Sequence, residues 1–308
     1  MDTFLINFKD LKLKYHIKND ETIECKNKIL LIIIPSRPDN FKQRTNIRNT
    51  WLADIPSTVI YRFIIGFTSN STIRILNRNE SQTFNDLIIT DLEDSYNFLT
   101  LKTYALFQWQ QIYCSEVKYI LKADDDSIAN VERLLYWIEE EYNTIADKYN
   151  GKVIFGYVMY FNSPPRNPES KWYIPKYAWP YTYLPSYCNG PSYITTSTAI
   201  KEILQQTKFF YYITVEDALF TGILAEAAGV QRIDKGRQFS IKFRNNTGYY
   251  GCDRNGMPYL TTIYHINANK FYDENDKQNP MKAATKMLKM KQCPNYLLSW
   301  FYWFSRYL

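Results

Sequence analysis

The first half of the chain alternates short apolar segments with amphipathic ones, and this alternation constrains the fold more than any other feature. Apolar, mostly β-branched segments predict four strands, at residues 28–34, 61–67, 86–90 and 117–121. Segments with helical spacing separate or follow them, at residues 40–52, 100–112 and 131–142. Strands that alternate with helices predict an α/β fold with a mostly parallel sheet, which binds its ligands at the carboxyl ends of its strands.

The fourth predicted strand ends in three consecutive carboxylates, Asp124, Asp125 and Asp126. These like charges repel one another, and beside a buried strand they are costly unless a positive group neutralises them. A divalent cation would do so, and Asp-x-Asp at a strand end commonly holds a metal that binds a diphosphate. The alternative is a solvated acidic turn that caps the helix beginning at Val131. The position at the end of a predicted parallel strand favours the functional interpretation.

The second half is less regular. It predicts a strand at residues 153–157, a helix at residues 214–228 and, between them, a loop at residues 162–189 rich in proline, tyrosine and tryptophan. A loop this long in a compact domain is usually functional or disordered, and its aromatic content argues against disorder. The faces of Tyr and Trp suit stacking on sugar rings, although core packing explains many of them. No linker is evident, so we expect only a soft boundary near residue 150.

Composition excludes several classes of protein. The chain has 308 residues and a net charge of +6, with no basic cluster dense enough to indicate nucleic-acid binding. No run reaches the ~18 uncharged apolar residues that a membrane span needs. The five cysteines form no C-x-x-C pair, so zinc is not expected; they permit one or two disulfides, and their odd number leaves at least one thiol unpaired within the chain.

Glycine motifs that bind phosphate are absent, so a nucleotide would have to be held by a metal and by basic side chains. Arg44 and Arg48 lie four residues apart on one predicted helix face and suit a diphosphate. The alternative is that each arginine pairs with a nearby acid on a solvated face.

The pair Glu216-Asp217 follows Thr214, and Thr214-x-x-Asp217 has the form of a capping box at the start of a helix. A carboxylate fixed in this way could also act as a general base. The histidine His265 lies in an apolar, strand-like context, where it would usually be a satisfied core residue. It is also the histidine that could complete a metal site with the aspartates.

Several motifs in this order resemble the β-1,3-galactosyltransferase-type glycosyltransferases, glycosyltransferase family 31. Residues 44–51 match R-x-x-I-R-x-T-W, residues 94–103 resemble D-S-Y-x-N-L-T-L-K-T, and Lys122-Ala-Asp-Asp-Asp126 follows at a similar spacing. Residues 183–193 resemble Y-P-x-Y-C-x-G-x-x-Y, and residues 216–222 resemble E-D-V-x-x-G. The similarity covers about residues 29–270, with two departures: Ile128-Ala129 replaces the usual F-V, and Leu92-Glu93 precedes the D-S-Y motif.

The resemblance implies a GT-A fold, a Rossmann-like mixed sheet flanked by helices and carrying a D-x-D metal site. It implies a single catalytic domain in which residues 29–150 bind the nucleotide sugar and residues 151–308 bind the acceptor and carry the base, after a stem-like segment at residues 1–28. It also implies an inverting, metal-dependent hexosyltransferase that moves galactose or N-acetylhexosamine from a UDP-sugar, in β-1,3 linkage, to a glycan acceptor on a glycoprotein or glycolipid. The expected cofactor is Mn²⁺ or another divalent cation.

Roles follow the motif positions. The resemblance implies Asp217 as the catalytic base and Glu216 as its support; the other roles are metal binding by Asp124, Asp126 and His265, donor binding by Arg44, Arg48, Lys102 and Asp125, and acceptor binding by Trp172, Tyr187, Gly190 and Tyr193. Family members normally work in the Golgi behind an N-terminal membrane anchor; the sequence does not predict one here, so localisation in the Golgi lumen or membrane is an expectation from resemblance alone. The principal alternative is a catalytically silent protein of the same fold that binds a glycan or UDP. Two further alternatives are a metal-dependent nucleotidyl- or phosphotransferase and a structural secreted protein.

Overall fold

A large mixed sheet forms the centre of the protein. The computed structural model describes residues 4, 6–16, 24–240, 251–266, 279–290 and 293. Its longer strands are β2 (Leu30–Pro35), β3 (Val59–Phe67), β4 (Leu87–Glu93), β5 (Tyr119–Ala123), β7 (Val153–Met159) and β8 (Tyr187–Thr196). Its short strands are β1 (Tyr15–His16), β6 (Ile128–Ala129), β9 (Gln231–Asp234), β10 (Phe239–Ser240) and β11 (Thr262–Ile263).

Helices cover the sheet. The α-helices are α1 (Phe41–Arg48), α2 (Ser71–Phe84), α3 (Leu99–Tyr113), α4 (Val131–Trp137), α5 (Asn143–Lys148), α6 (Ser197–Gln206), α7 (Leu224–Ala227) and α8 (Pro280–Met290). A π-helical turn, in which hydrogen bonds join residues five apart, connects α4 to α5 at Ile138–Tyr142. A second π-helical turn, at Ala218–Ile223, precedes α7. Such π-helical turns occur frequently at functional sites, and the second of them follows Asp217 directly.

The main sheet has the strand order β1-β4-β3-β2-β5-β8-β7-β9. Strands β4, β3, β2 and β5 are parallel, whereas β8 runs antiparallel to both β5 and β7. The chain passes from β2 to β3 and β4 on one side and then returns to β5 on the other side of β2. The strand order therefore reverses between β2 and β5, and ligands of open α/β sheets bind at such a point, outside the carboxyl ends of the strands.

The strands of the first half are where the sequence predicts them. Every residue of Leu30–Pro35 is buried, because helices cover both faces of the sheet. Successive side chains point to opposite faces, so Leu31 and Ile33 belong to one core cluster while Leu30, Ile32 and Ile34 belong to the other. The predicted α/β fold, a mixed sheet flanked by helices, is confirmed.

Helix α2 in the first half was not predicted, and neither were strands β8, β9 and β10 or helices α6 and α8 in the second half. The first three residues of β8, Tyr187, Cys188 and Asn189, lie in the predicted loop, and helix α6 follows β8 directly. The predicted capping box is wrong: the hydroxyl of Thr214 donates to the carbonyl of Tyr173 at 2.7 Å, and the helical segment begins only at Glu216.

The N-terminal residues that the structure describes pack against the sheet. Phe8 is fully buried in one core cluster, and Tyr15–His16 pairs antiparallel with β4. Disulfides join Cys25 to Cys114 and Cys252 to Cys293, whereas Cys188 is a buried free thiol. Among the described helices, none is both long and apolar enough to cross a bilayer.

Candidate active site

A cleft of about 960 Å³ lies at the point where the strand order reverses. One wall follows β2 and β5 and carries Ser36 and the three aspartates; the opposite wall carries Glu216 and Asp217. The aromatic loop closes one side through Trp172. The cleft thus brings together the acidic motif, the carboxylate pair and the same aromatic loop, predicted at residues 162–189, which are far apart in the sequence.

Lys122 connects the two acidic groups from beneath. Its ammonium is fully buried and donates to Asp124 Oδ1 at 2.6 Å, to the carbonyl of Gly190 at 2.7 Å and to Glu216 Oε1 at 2.9 Å. Burial opposes the charge on Lys122, but the two carboxylates outweigh that effect and raise the pKa of the ammonium. The lysine is therefore charged, and it neutralises part of the acidic motif inside the fold.

Asp125 is held by the loop that follows β2. Its Oδ2 accepts from Ser36 Oγ at 2.8 Å and from Asn40 Nδ2 at 3.0 Å, while Gln43 donates to its carbonyl oxygen at 2.5 Å. Burial raises the pKa of the Asp125 carboxyl, and the two side-chain hydrogen bonds oppose that shift. This carboxylate is occupied by protein donors, so its orientation towards the cleft is fixed.

Asp126 and His265 meet at the edge of the cleft. Asp126 Oδ2 lies 3.1 Å from His265 Nδ1, and this contact raises the pKa of the imidazole. The backbone of His265 is left-handed, with φ 56°, and Ile266 N donates to the carbonyl of Asp126 at 3.0 Å. Although 139 positions separate Asp126 from His265 in the sequence, the fold places the histidine beside the aspartate motif, as the metal hypothesis requires.

The described residues contain no group of three or more Asp, Glu, His or Cys side chains gathered closely enough to hold a metal ion. The donor set nevertheless suits a hard divalent cation, because Asp126 and His265 are adjacent and the half-exposed Asp124 is two residues away. Cations that bind nucleotide phosphates commonly take one or two carboxylates from the protein and complete their shell with water and phosphate oxygens. The residues present therefore fit such a cation.

The carboxylate pair differs in accessibility. Glu216 is 5% exposed; its Oε1 accepts from Lys122, and its Oε2 is buried with no hydrogen-bond partner among the described residues. Burial raises the pKa of Glu216 to about 7. Asp217 is half-buried, and its carboxylate accepts from Gly190 N at 2.7 Å and from Ala218 N at 2.9 Å. Burial also raises the pKa of Asp217, against those two backbone hydrogen bonds.

Lys102 lies in the wall next to Ser36. Its ammonium donates to Asp94 Oδ2 at 2.5 Å and to the carbonyl of Ser36 at 3.0 Å, and burial lowers its pKa. The same Asp94 oxygen accepts from Gly66 N at 2.7 Å. Lys102 therefore reaches the cleft as the resemblance implies, although it is already paired.

Arg44 and Arg48 lie behind the wall and not in the cleft. Arg44 is fully buried and bonds Glu80 through two nitrogens, and Arg48 bonds both Glu80 and Asp86. Arg44 also donates to the carbonyls of Arg37 and Pro38, at 2.6 and 3.3 Å. The structure thus corrects the expectation of direct diphosphate contact: these arginines support the loop at residues 36–40, because their guanidinium groups are taken up by buried carboxylates.

The proposed acceptor residues also separate into two groups. Trp172, Tyr187 and Gly190 line the cleft. Tyr193 is fully buried, and its ring lies beneath the floor, 5.9 Å from the ammonium of Lys122. Direct acceptor contact by Tyr193 is therefore excluded in this arrangement, since β8 turns its side chain into the core.

Sequence reasoning did not single out Ser36, Asn40, Asp94 or Lys122 as site residues, although each lines the cleft or bonds a residue that does. A signal existed for Lys122 and Asp94, because a charged residue at the end of an apolar strand requires a partner. The contacts of Ser36 and Asn40 with Asp125 span 85 residues or more and left no trace in local sequence.

Comparison with known proteins agrees with these motifs. The family model described as Galactosyltransferase matches residues 42–236, which include Lys102, the aspartate motif and the carboxylate pair. The chain belongs to the galactosyltransferase family.

Two of its relatives are named for different activities. It is 29% identical over 218 residues to beta-1,3-galactosyltransferase 1 of Mus musculus, covering 68% of this chain and 64% of that protein. It is 27% identical over 266 residues to lactosylceramide 1,3-N-acetyl-beta-D-glucosaminyltransferase of Xenopus tropicalis, covering 82% and 67%. The chain thus spans about two thirds of these relatives.

Similarity to solved structures is weak. Mouse xyloside xylosyltransferase 1 aligns with a TM-score of 0.37 at 12% identity, over 77% of this chain and 97% of that one. The Staphylococcus aureus TarS fragment 1–349 in complex with UDP-GlcNAc aligns with a TM-score of 0.39 at 16% identity, over 70% and 59%.

Proposed function

We propose that the protein is an inverting, metal-dependent hexosyltransferase that moves galactose or an N-acetylhexosamine from a UDP-sugar, in β-1,3 linkage, to a glycan acceptor. Membership of the galactosyltransferase family supports sugar transfer, and relatives of this chain are named for 1,3-linked transfer of both galactose and N-acetylglucosamine. The observation that carries the proposal is the cleft itself, where a donor-side aspartate motif faces a carboxylate pair.

In this proposal Asp217 is the catalytic base. An inverting transfer is a direct displacement, so the acceptor hydroxyl must lose its proton as it attacks C1 of the donor sugar. Asp217 is the more accessible of the two carboxylates, and the N–H groups of Gly190 and Ala218 fix its orientation. Its raised pKa makes it a better proton acceptor than an ordinary aspartate.

Glu216 supports the base from below. It pairs with Lys122, which also bonds Asp124, so the two walls of the cleft share one buried ammonium. The charge on Lys122 limits repulsion between Asp124 and the carboxylate pair, and it holds the Gly190 carbonyl whose neighbouring N–H bonds Asp217. Lys122 and Glu216 thereby keep the base at a fixed distance from the donor side.

On the donor side, Asp126, His265 and Asp124 would hold a divalent cation such as Mn²⁺, which when bound neutralises charge on the diphosphate leaving group. Asp125 and Lys102 lie beside it, the first fixed by Ser36 and Asn40. The acceptor side comprises Trp172, Tyr187 and Gly190. Residues 29–150 then supply most donor contacts, and residues 151–308 supply the acceptor contacts and the base.

We further propose that the enzyme works in the Golgi lumen on glycoprotein or glycolipid acceptors. Two disulfides favour an oxidising, secretory compartment over the cytosol. The resemblance to family 31 supports the Golgi among the secretory compartments.

The test is UDP release over a panel of UDP-sugars, with Mn²⁺ or with chelator, and with simple galactosides and hexosaminides as acceptors. We expect release that depends on Mn²⁺ and on one preferred donor. Asp217→Asn should abolish turnover and retain UDP binding and folding, whereas Asp253→Asn, outside the cleft, should retain activity. Failure of the wild-type protein to bind UDP with Mn²⁺ would refute the proposal; binding without release for any donor or acceptor would favour a silent binding protein.

A further inference from the structure

A pair of exposed aromatic rings belongs to Phe161 and Tyr183, each of which is the sequence neighbour of a residue that lines the cleft. Phe161 is 82% exposed and Tyr183 is 53% exposed, and their ring centroids lie 6.4 Å apart in an edge-to-face arrangement. Large apolar side chains exposed together in this way usually mark a binding surface.

The two rings continue the walls of the cleft. Phe161 directly precedes Asn162 and Tyr183 directly precedes Leu184, and both of these neighbours line the cleft. The two segments leave the β7–β8 ladder side by side, where Met159 pairs with Tyr187 and Leu184 N donates to the carbonyl of Asn162 at 2.9 Å. The chain at Phe161 and Tyr183 therefore adjoins the cleft lining on two neighbouring segments.

Hydrogen bonds fix the backbone of the loop that carries Tyr183. The guanidinium of Arg166 donates to the carbonyls of Ile174, Trp179 and Tyr181 at 2.7, 2.7 and 3.1 Å. The indole N–H of Trp179 donates to the carbonyl of Tyr183 at 3.0 Å. A fixed backbone at Tyr183 lowers the ordering cost when its ring binds a ligand, and this favours affinity from a small contact area.

Phe161 also has an unusual backbone. Its φ is 55°, in the left-handed region that bulky residues rarely occupy. Strain of this kind, of the order of 1–3 kcal/mol, persists where the surroundings impose it, and it clusters at ligand-binding sites. Here it turns a large apolar ring towards solvent, the opposite of what folding alone favours.

We propose that Phe161 and Tyr183 form a second sugar subsite, which binds the acceptor unit one or two sugars away from the reacting hydroxyl. The inference rests on the proposed transfer to glycans and specifies the substrate class, an oligosaccharide instead of a single sugar. The apolar face of a pyranose ring matches an aromatic face, and the Tyr183 hydroxyl and Asn162 amide supply polar groups of the kind that sugar hydroxyls bind. Continuity with the cleft favours this occupant over a lipid surface or a protein partner.

The experiment compares acceptors that end in the same reacting sugar but differ in length: the methyl glycoside, a disaccharide and a tetrasaccharide. Methyl glycosides are used because an aromatic aglycone could itself occupy the ring pair. For the wild-type protein we expect kcat/KM to rise about tenfold from the monosaccharide to the tetrasaccharide. Phe161→Ala and Tyr183→Ala should each remove most of that gain and keep the monosaccharide rate within about twofold.

The matched control is Phe209→Ala. Phe209 is 68% exposed and does not line the cleft, so its removal should leave the length dependence unchanged. Calorimetric binding of the tetrasaccharide in the presence of UDP and Mn²⁺, without donor, gives a second readout that needs no turnover, and Phe161→Ala and Tyr183→Ala should each weaken it about tenfold.

A wild-type protein that uses the monosaccharide and the tetrasaccharide equally well, and binds the tetrasaccharide as tightly after either substitution, would overturn the subsite and leave the transferase proposal intact. The subsite would also be overturned, in favour of a lipid surface, by a different result. In that result the wild-type protein binds phosphatidylcholine–phosphatidylserine vesicles, both variants lose this binding, and the dependence of kcat/KM on acceptor length stays unchanged. Absence of Mn²⁺-dependent UDP release with every acceptor would instead refute the transferase proposal, and the calorimetric comparison would still decide the subsite.

Discussion

Gly190→Ala tests whether the position of Asp217 limits catalysis. A Cβ atom built on Gly190 would lie 3.0 Å from Asp217 Oδ2 and 3.1 Å from both Cβ and Cγ of that residue. These contacts are a few tenths of an ångström too short, and Asp217 cannot turn aside freely because Gly190 N and Ala218 N hold its two oxygens. Gly190 is not among the residues with positive φ, so alanine brings no backbone strain at this position.

The magnitude follows from the hydrogen bond at risk. If the carboxylate moves away, the hydrogen bond from Gly190 N to the charged Oδ2 of Asp217 lengthens or breaks. A hydrogen bond to a charged group contributes about 1.5–3 kcal/mol. If the same displacement moves the base from the attacking hydroxyl, kcat falls by roughly 10- to 150-fold. Affinity for UDP with Mn²⁺ should stay within about twofold, because the donor contacts lie on the opposite wall.

The assay is steady-state transfer together with calorimetric UDP binding, for Gly190→Ala, Asp217→Asn and the double variant. Because the substitution acts through Asp217, the double variant should be no slower than Asp217→Asn alone. Gly229→Ala is the control. A Cβ built on Gly229 would have no atom within 4 Å, but the φ of 69° means that alanine should lower stability without changing the cleft. A Gly190→Ala protein with wild-type kcat, or one that loses UDP affinity in parallel with rate, would refute the reasoning.

Three further changes test the supports of the site. Glu80→Gln leaves the buried Arg44 and Arg48 guanidinium groups with less countercharge, so urea denaturation should show a loss of about 3–5 kcal/mol, against about 0.5 kcal/mol or less for the exposed Glu139→Gln. The folded-state pKa of Glu216 is about 7, above its ordinary value of 4.5, so the folded protein binds a proton that the unfolded chain has released. The free energy of unfolding should therefore fall as pH rises from about 5 to 7. Denaturation curves of Glu216→Gln measured across this pH range should lack that part of the slope. Replacing both Cys25 and Cys114 by serine opens a link between residues 89 positions apart and should cost about 2–5 kcal/mol in the same assay, and an unchanged unfolding midpoint would count against a structural role for this disulfide.

The sequence predicted the parallel strands well because their signal is local. Runs such as Leu30–Ile34 are apolar and β-branched without interruption, which fits a strand buried on both faces. Strand β8 lacks that signal because Gly190 and Pro191 interrupt it. Both interruptions serve the site: Gly190 makes room for Asp217, and the carbonyl of Pro191 accepts from Asp124 N at 2.8 Å. Local propensity therefore failed where the chain is shaped for chemistry.

The arginine motif shows a different limit. Spacing placed Arg44 and Arg48 on one helix face, and the structure agrees, since Glu80 contacts both. Spacing could not tell whether that face looks into the cleft or away from it. The answer depends on Glu80 and Asp86, which follow Arg44 and Arg48 by 36 and 38 residues and reach them only after β3 and α2 have formed. Partners this distant in sequence are set by topology.

The charge balance of the cleft leads to a last prediction. Among the described residues that line it, six are carboxylates (Asp94, Asp124, Asp125, Asp126, Glu216 and Asp217), against three lysines or arginines (Arg37, Lys102 and Lys171). Buried Lys122 offsets one more carboxylate, yet a diphosphate entering alone would still meet like charge. We therefore expect UDP to bind at least about tenfold more weakly with chelator than with Mn²⁺, and Asp126→Asn to reduce this difference by lowering affinity only when Mn²⁺ is present. Equal calorimetric affinity with and without the cation would mean that Arg37, Lys102 and Lys171 suffice for the diphosphate, and the metal-binding role of Asp126 and His265 would have to be abandoned.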